Sequence, residues 1–118
     1  MTVLVVDDDY AVLDSMKDVL EDEGYEVFLA ANGLEALKEL RRGIRPCVIL
    51  LDLMMPVMNG WEFRQEQLLD NGFAAIPTII VTAHNRAEES AVELKAASCI
   101  RKPVRPDILL ETIGKFCR

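Results

Sequence analysis

No apolar run in this chain approaches the about 20 residues that a helix needs to cross a bilayer, and no basic leader precedes the first apolar segment. A membrane-spanning helix is excluded, and the expectation is a cytoplasmic protein or a cytoplasmic-facing domain. Positive charge is also in short supply: 13 Lys and Arg stand against 20 Asp and Glu, a formal net charge of -7. Nucleic-acid backbones are gripped by clustered Lys and Arg, so this balance argues against direct nucleic-acid binding and suits a basic partner or a bound divalent ion. Cysteine is scarce and odd in number. Cys47, Cys99 and Cys117 show none of the short spacings of a zinc site, and a reducing compartment is the simpler reading of them. Linkers, low-complexity tracts and internal repeats are missing as well. With 118 residues, 51% of them hydrophobic, the chain can build one core but not two, and a single domain, 1–118, is expected.

What is present is an alternation of two patterns. Residues 2–6, Tyr25–Leu29, Val48–Leu51, Ile76–Val81 and Ser98–Arg101 read as strands, most of them unbroken apolar runs of the kind covered on both faces. Between them, apolar residues recur at helical spacing. Val12, Leu13, Met16, Val19 and Leu20 run up to Gly24, and Leu34, Ala36, Leu37 and Leu40 run up to Gly43. Further helices are expected over 61–70 and 86–96, and a last one entered through Pro106 with Ile108, Leu109, Ile113 and Phe116 on its stripe. Five strands alternating with five helices make a parallel, doubly wound α/β sandwich.

In such a sheet, ligands bind beyond the carboxyl ends of the strands. The residues that follow strands here are Asp7, Asp8 and Asp9, then Asp52, then Thr82 with Ala83, then Lys102 with Pro103. Acids, a hydroxyl and an ammonium therefore share one rim. Carboxylates packed together repel, so without a cation at least one should have a raised pKa. Mg²⁺ would relieve that repulsion and leave room for a phosphoryl oxygen, which a lysine and a hydroxyl would further support. Asp9 has a second reading as a plain helix cap.

These pieces carry a resemblance. Val5-Val6-Asp7-Asp8, Leu51-Asp52-Leu53-Met54-Met55-Pro56 through Gly60, Thr82-Ala83 and Lys102-Pro103, in this order, resemble the receiver domain of two-component response regulators, over essentially the whole chain. The resemblance implies a flavodoxin-like sheet of order 2-1-3-4-5. It implies that Asp52 accepts a phosphoryl group from a phosphohistidine of a sensor kinase or histidine phosphotransfer protein. Mg²⁺ would be held by Asp7, Asp8, Asp52 and the backbone carbonyl of Met54, with Thr82 and Lys102 on the phosphoryl oxygens and a cis peptide between Lys102 and Pro103. Any enzymatic activity would be self-directed, and the output would be altered binding to a downstream protein or effector domain. Two other functions stay open: a receiver-like binding module independent of phosphorylation, and a haloacid-dehalogenase-type phosphatase. The latter class places a second acid two residues after its nucleophile, where this chain has Met54.

The chain departs from the family's pattern at two places. Relatives switch through the Thr82 position together with an aromatic on the fifth strand, and that second position is Cys99, which cannot repeat a ring's change in volume. Cys99 is an ordinary buried strand residue in a protein that signals through loop and helix shifts, an exposed, redox-sensitive thiol, or the mark of a weak output change. Where relatives often carry Gly-Ala-Asp-Asp, this chain has Lys95-Ala96-Ala97-Ser98, which puts in doubt the dimer contact of the DNA-binding subfamily. His84 is either an inert loop residue or a group that tunes access of water or donor to the site. Met54, Met55 and Met58 divide between packing and a soft docking surface, and Trp61 and Phe63 cannot face the same way.

Overall fold

The computed structural model describes residues 1–117. Strands and helices alternate as β1 (Thr2–Val6), α1 (Tyr10–Asp22), β2 (Glu26–Ala30), α2 (Gly33–Arg41), β3 (Val48–Leu51), α3 (Gly60–Leu69), β4 (Thr78–Thr82), α4 (Ala87–Glu93), β5 (Ser98–Arg101) and α5 (Pro106–Gly114). All strands join one parallel sheet in the order β2-β1-β3-β4-β5, the flavodoxin-like arrangement. Arg118, the end of the expected domain, lies outside the described residues.

The apolar strands are covered on both faces, which is why they do not alternate. Val3, Val5, Leu50, Ile79 and Val81 meet Leu13, Met16 and Leu20 of α1 and Leu109 and Ile113 of α5. Leu4, Val6, Ile49, Leu51 and Ile80 point the other way, toward α2, α3 and α4 through Leu37, Leu40, Phe63, Ala91 and Leu94. Tyr25 and Phe28 are partly buried against these two cores.

The element boundaries differ from the pattern reading where backbone chemistry intervenes. The second strand begins at Glu26 because the Tyr25 N–H is spent on Leu20 O, closing α1 around Gly24 with its φ of 91°. The fourth begins at Thr78 because Pro77 has no N–H, although its carbonyl still accepts from Ile49. Helix α4 is shorter than the 86–96 expected. Lys95 turns left-handed at φ 54°, and the N–H groups of Lys95 and Ala96 fold back onto Val92 O and Ala91 O.

The cysteine reading needs correction. Cys47, just before β3, and Cys117, just after α5, are joined in a disulfide with Cα atoms 5.5 Å apart, and only Cys99 is free. The two are 70 residues apart in sequence, so no short spacing could reveal them. The bond ties the end of α5 to the foot of the central strand. A disulfide typically stabilises a fold by about 2–4 kcal/mol. We expect the intact unreduced protein to be two hydrogens lighter than the reduced one. The double change Cys47→Ser and Cys117→Ser should lower unfolding stability by about 2–4 kcal/mol without reductant and leave it unchanged in reductant. A wild-type stability indifferent to reductant would contradict this.

Candidate functional site

Sheet order reverses between β1 and β3, and the crevice this opens at their carboxyl ends is where such folds bind ligands. Register sets the height of the groups in it. Val6 pairs with Leu51, and Asp52 N donates to Val6 O at 2.9 Å, so Asp7 and Asp52 emerge side by side. On the other side Thr82 pairs with Arg101, and Lys102 N donates to Thr82 O at 3.0 Å, which delivers Lys102 to the same rim. The Lys102–Pro103 peptide is cis.

The three adjacent aspartates divide their work. Asp9 is the N-cap of α1, its carboxylate accepting from the N–H groups of Ala11 and Val12, and it takes no part in the cluster. Asp7 is 1% exposed; its Oδ1 accepts from Asp9 N at 2.9 Å and its Oδ2 from Lys102 Nζ at 2.7 Å. Asp8 is exposed. Asp52 is 5% exposed; its Oδ1 accepts from Leu53 N at 2.9 Å, while its Oδ2 stands 3.6 Å from Lys102 Nζ with no shorter bond. Carboxylate oxygens of Asp7, Asp8 and Asp52 lie within 4.8 Å of one another.

Electrostatics follow from this crowding. Burial pushes the Asp52 carboxyl up from 3.8, and repulsion from Asp7 adds to it; attraction to Lys102 and the Leu53 bond offset part, leaving a pKa of about 6. Lys102 goes the other way. Burial opposes its charge, but the hydrogen bond to Asp7 and attraction to Asp52 outweigh that and hold its pKa above the ordinary lysine value. A donor set of hard carboxylate oxygens under mutual repulsion fits a hard divalent cation, which removes the repulsion that raises Asp52.

The surrounding loops are built tightly. Gly60, at the start of α3, sits so close to Asp52 O and Leu53 that any Cβ there would collide with backbone. Helix α3 is closed at its N-terminus by a capping box of Asn59 and Glu62. Met58 N donates to Pro56 O at 2.8 Å across Val57, whose φ of 69° makes this a strained γ-turn. That turn leaves Met54 and Val57 exposed while Met55 and Met58 pack against the core. Phe63 is fully buried, whereas half-buried Trp61 stands edge-on to His84, ring centroids 6.2 Å apart. His84 N donates to Thr82 Oγ1 at 3.1 Å, and His84 Nδ1 accepts from Arg86 N. Cys99 is partly buried against the core. Its thiol pKa is raised by burial first and by Glu88 second, which favours the thiol over the thiolate.

The family model of the response regulator receiver domain matches residues 3–114. The chain belongs to this family. The receiver domain is 33% identical to sporulation initiation phosphotransferase F of Bacillus subtilis, over 97% of this chain and 91% of that protein. Among solved structures it is similar to a CheY-like response regulator receiver domain protein from Methanospirillum hungatei, with 36% identity, a TM-score of 0.86 and coverage of 97% and 90% of the two chains. It is likewise similar to the chemotaxis response regulator CheY4 of Vibrio cholerae, with 32% identity, a TM-score of 0.87 and coverage of 98% and 97%. The function of the receiver domain is that of a phosphoacceptor. Its Asp7, Asp8 and Asp52 cluster is of the kind that binds Mg²⁺ beside a phosphorylated aspartate.

The raised carboxyl gives a pH test on the metal-free receiver domain. A group that holds its proton more tightly when folded adds stability below its unfolded pKa of 3.8, and that stability is lost as pH rises through about 6. Asp52→Asn lacks this loss. Denaturant unfolding in the presence of chelator should show the variant gaining stability relative to wild type across that window. Parallel pH profiles for the two proteins would contradict the raised pKa.

Proposed function

We propose that Asp52 is the residue that takes the phosphoryl group, from a phosphohistidine of a histidine kinase or histidine phosphotransfer protein. The observation that carries this is the free oxygen. Both oxygens of Asp7 are occupied, by Asp9 N and Lys102, whereas Asp52 Oδ2 has no short hydrogen bond and lies within reach of the Lys102 ammonium. Asp8, out in solvent, lacks the burial that makes an acyl phosphate long-lived. A metal ion held by Asp7, Asp8, Asp52 and the Met54 carbonyl would neutralise carboxylate and phosphoryl charge.

The residues then act as follows. Asp52 Oδ2 forms a bond to phosphorus as the bond from phosphorus to the donor imidazole nitrogen breaks, its electron pair staying on that nitrogen. Lys102 places a positive charge beside the phosphoryl oxygens, and Thr82, whose Oγ1 accepts from His84 N, donates its free hydroxyl hydrogen to them. Water later attacks the acyl phosphate and regenerates the carboxylate, so the chemistry is performed only on the domain itself. The signal leaves through Thr82 and the loop before α4, because Cys99 on β5 has no ring to swing inward. The recipient is a downstream protein or an effector domain rather than nucleic acid or membrane, in keeping with the net charge of -7. We place this activity in the cytoplasm, where the phosphohistidine donors of the family work, although a disulfide such as Cys47–Cys117 is uncommon there.

Incubation with Mg²⁺ and a small phosphodonor such as acetyl phosphate should add the mass of one phosphoryl group, and Asp52→Asn should add none. Lys102→Met should slow phosphorylation about a hundredfold, the usual effect of removing one charge-stabilising group. An equal mass gain in Asp52→Asn would rule Asp52 out as the acceptor.

A further inference from the structure

Arg64 of α3 is a buried cation that the phosphoacceptor chemistry does not use. Its side chain is 5% exposed, and all of its hydrogen bonds go to neutral oxygens. Nε donates to Leu94 O at 2.9 Å, Nη1 to Gln67 Oε1 at 2.7 Å and Thr78 Oγ1 at 3.1 Å, and Nη2 to Lys95 O at 2.8 Å. No carboxylate pairs with it among the described residues. A desolvated charge without a counter-charge is expensive. Burial accordingly lowers the Arg64 pKa from the ordinary arginine value.

The identity of its partners shows what this cost achieves. Thr78 is the first residue of β4, and Leu94 and Lys95 follow the last residue of α4. A single guanidinium therefore grips both ends of the segment that contains Thr82, the His84 loop and α4. Gln67 completes the grip: its Oε1 also accepts from Thr78 Oγ1, and its Nε2 donates to Phe73 O and Ile76 O, fixing the loop that leads into β4. Lys95 is one of only two non-glycine residues with positive φ among the described residues, a conformation that costs a lysine energy. The bond from Arg64 to its carbonyl holds it there, and the negative end of the α4 dipole receives a cation.

The opposite end of α4 is held differently. Arg86 occupies the N-cap without any side-chain cap bond. The ties at that end run from Arg101 to Asn85 O at 3.0 Å and to Glu88 at 3.4 Å, all in solvent, where such pairs hold little. The C-terminal end is clamped by buried polar bonds, whereas the N-terminal end buries Ala87 but has its polar ties only in solvent.

We propose that Arg64 is a positioning residue that pins the C-terminal end of α4 to the foot of β4 as a fixed pivot, confining the response to events at Thr82 to the loop and the N-terminal end of α4. The confinement rests on the phosphoacceptor reading; the pinning does not.

Amide hydrogen exchange tests both parts. The reporters are the N–H groups of Lys95, Ala96 and Ala97, bonded to Val92 O, Ala91 O and Thr78 O. In the resting protein, Arg64→Met, which keeps the length and loses the donors, should speed their exchange about tenfold or more, as expected for loss of hydrogen bonds from a charged donor. Adding Lys95→Gly, which relieves the left-handed residue, should return much of that protection. Arg64→Lys, which keeps the charge but not the fork, should fall between and serves in place of Arg64→Met if the latter does not fold. Unchanged protection of residues 95–97 in either variant overturns the proposal. In the wild type, phosphorylation should alter exchange over 83–88 and leave 95–97 unaltered; equal changes in both stretches would also overturn it. Failure of the wild type to phosphorylate would instead strike at Asp52, since the resting-state comparison needs no phosphoryl group.

Discussion

Carboxylates forced to within 4.8 Å of one another in a crevice, with one ammonium between two of them, set the terms for everything else in this molecule. Their repulsion is a cost that folding must carry. Lys102 relieves Asp7 at 2.7 Å but reaches Asp52 only at 3.6 Å, and burial first, with the unrelieved repulsion from Asp7 second, displaces the pKa of Asp52 upward. An unfilled demand for positive charge is what makes the site receptive both to a divalent cation and to chemistry at phosphorus. The sheet exists, in functional terms, to hold that demand in place. Parallel pairing of Val6 with Leu51 and of Thr82 with Arg101 fixes the acids and the lysine to a rim formed by backbone hydrogen bonds, which side chains alone could not hold so closely.

The output side of the domain is organised around a different buried charge. Arg64 sits on the face of the sheet opposite α1 and α5, and its partners are carbonyls, an amide and a hydroxyl rather than an acid. In the reading proposed above, the pinned foot confines the response at Thr82 to the loop and the N-terminal end of α4, without the aromatic residue that Cys99 replaces. The Cys47–Cys117 bond adds rigidity at the other pole, beneath the sheet and far along the strands from the acids.

The sheet and its acidic rim were legible in the sequence because both depend on local patterns. Apolar runs report strands covered twice, and a residue that follows such a run lands on the rim whatever the rest of the chain does. The expectation that one carboxyl would have a raised pKa required only that the acids converge. Features that depend on partners distant in sequence were hidden. Arg64 reads as one more charged residue on a helix until the fold shows it bonded 30 and 31 residues away. Cys47 and Cys117 have no sequence signal at all. The end of α4 was misjudged because backbone geometry at the left-handed Lys95, rather than side-chain pattern, stops the helix.

The most direct test of the account is calorimetric titration of Mg²⁺ into the domain, repeated in buffers of different ionisation enthalpy near pH 6 and well above it, where Asp52 is fully ionised. The account predicts a single site, with protons released on binding near that pH and none above it, and loss of binding when Asp7 and Asp8 are replaced by Asn. Mg²⁺ that binds equally to wild type and variant, or that displaces no proton near the pKa of Asp52, would contradict it.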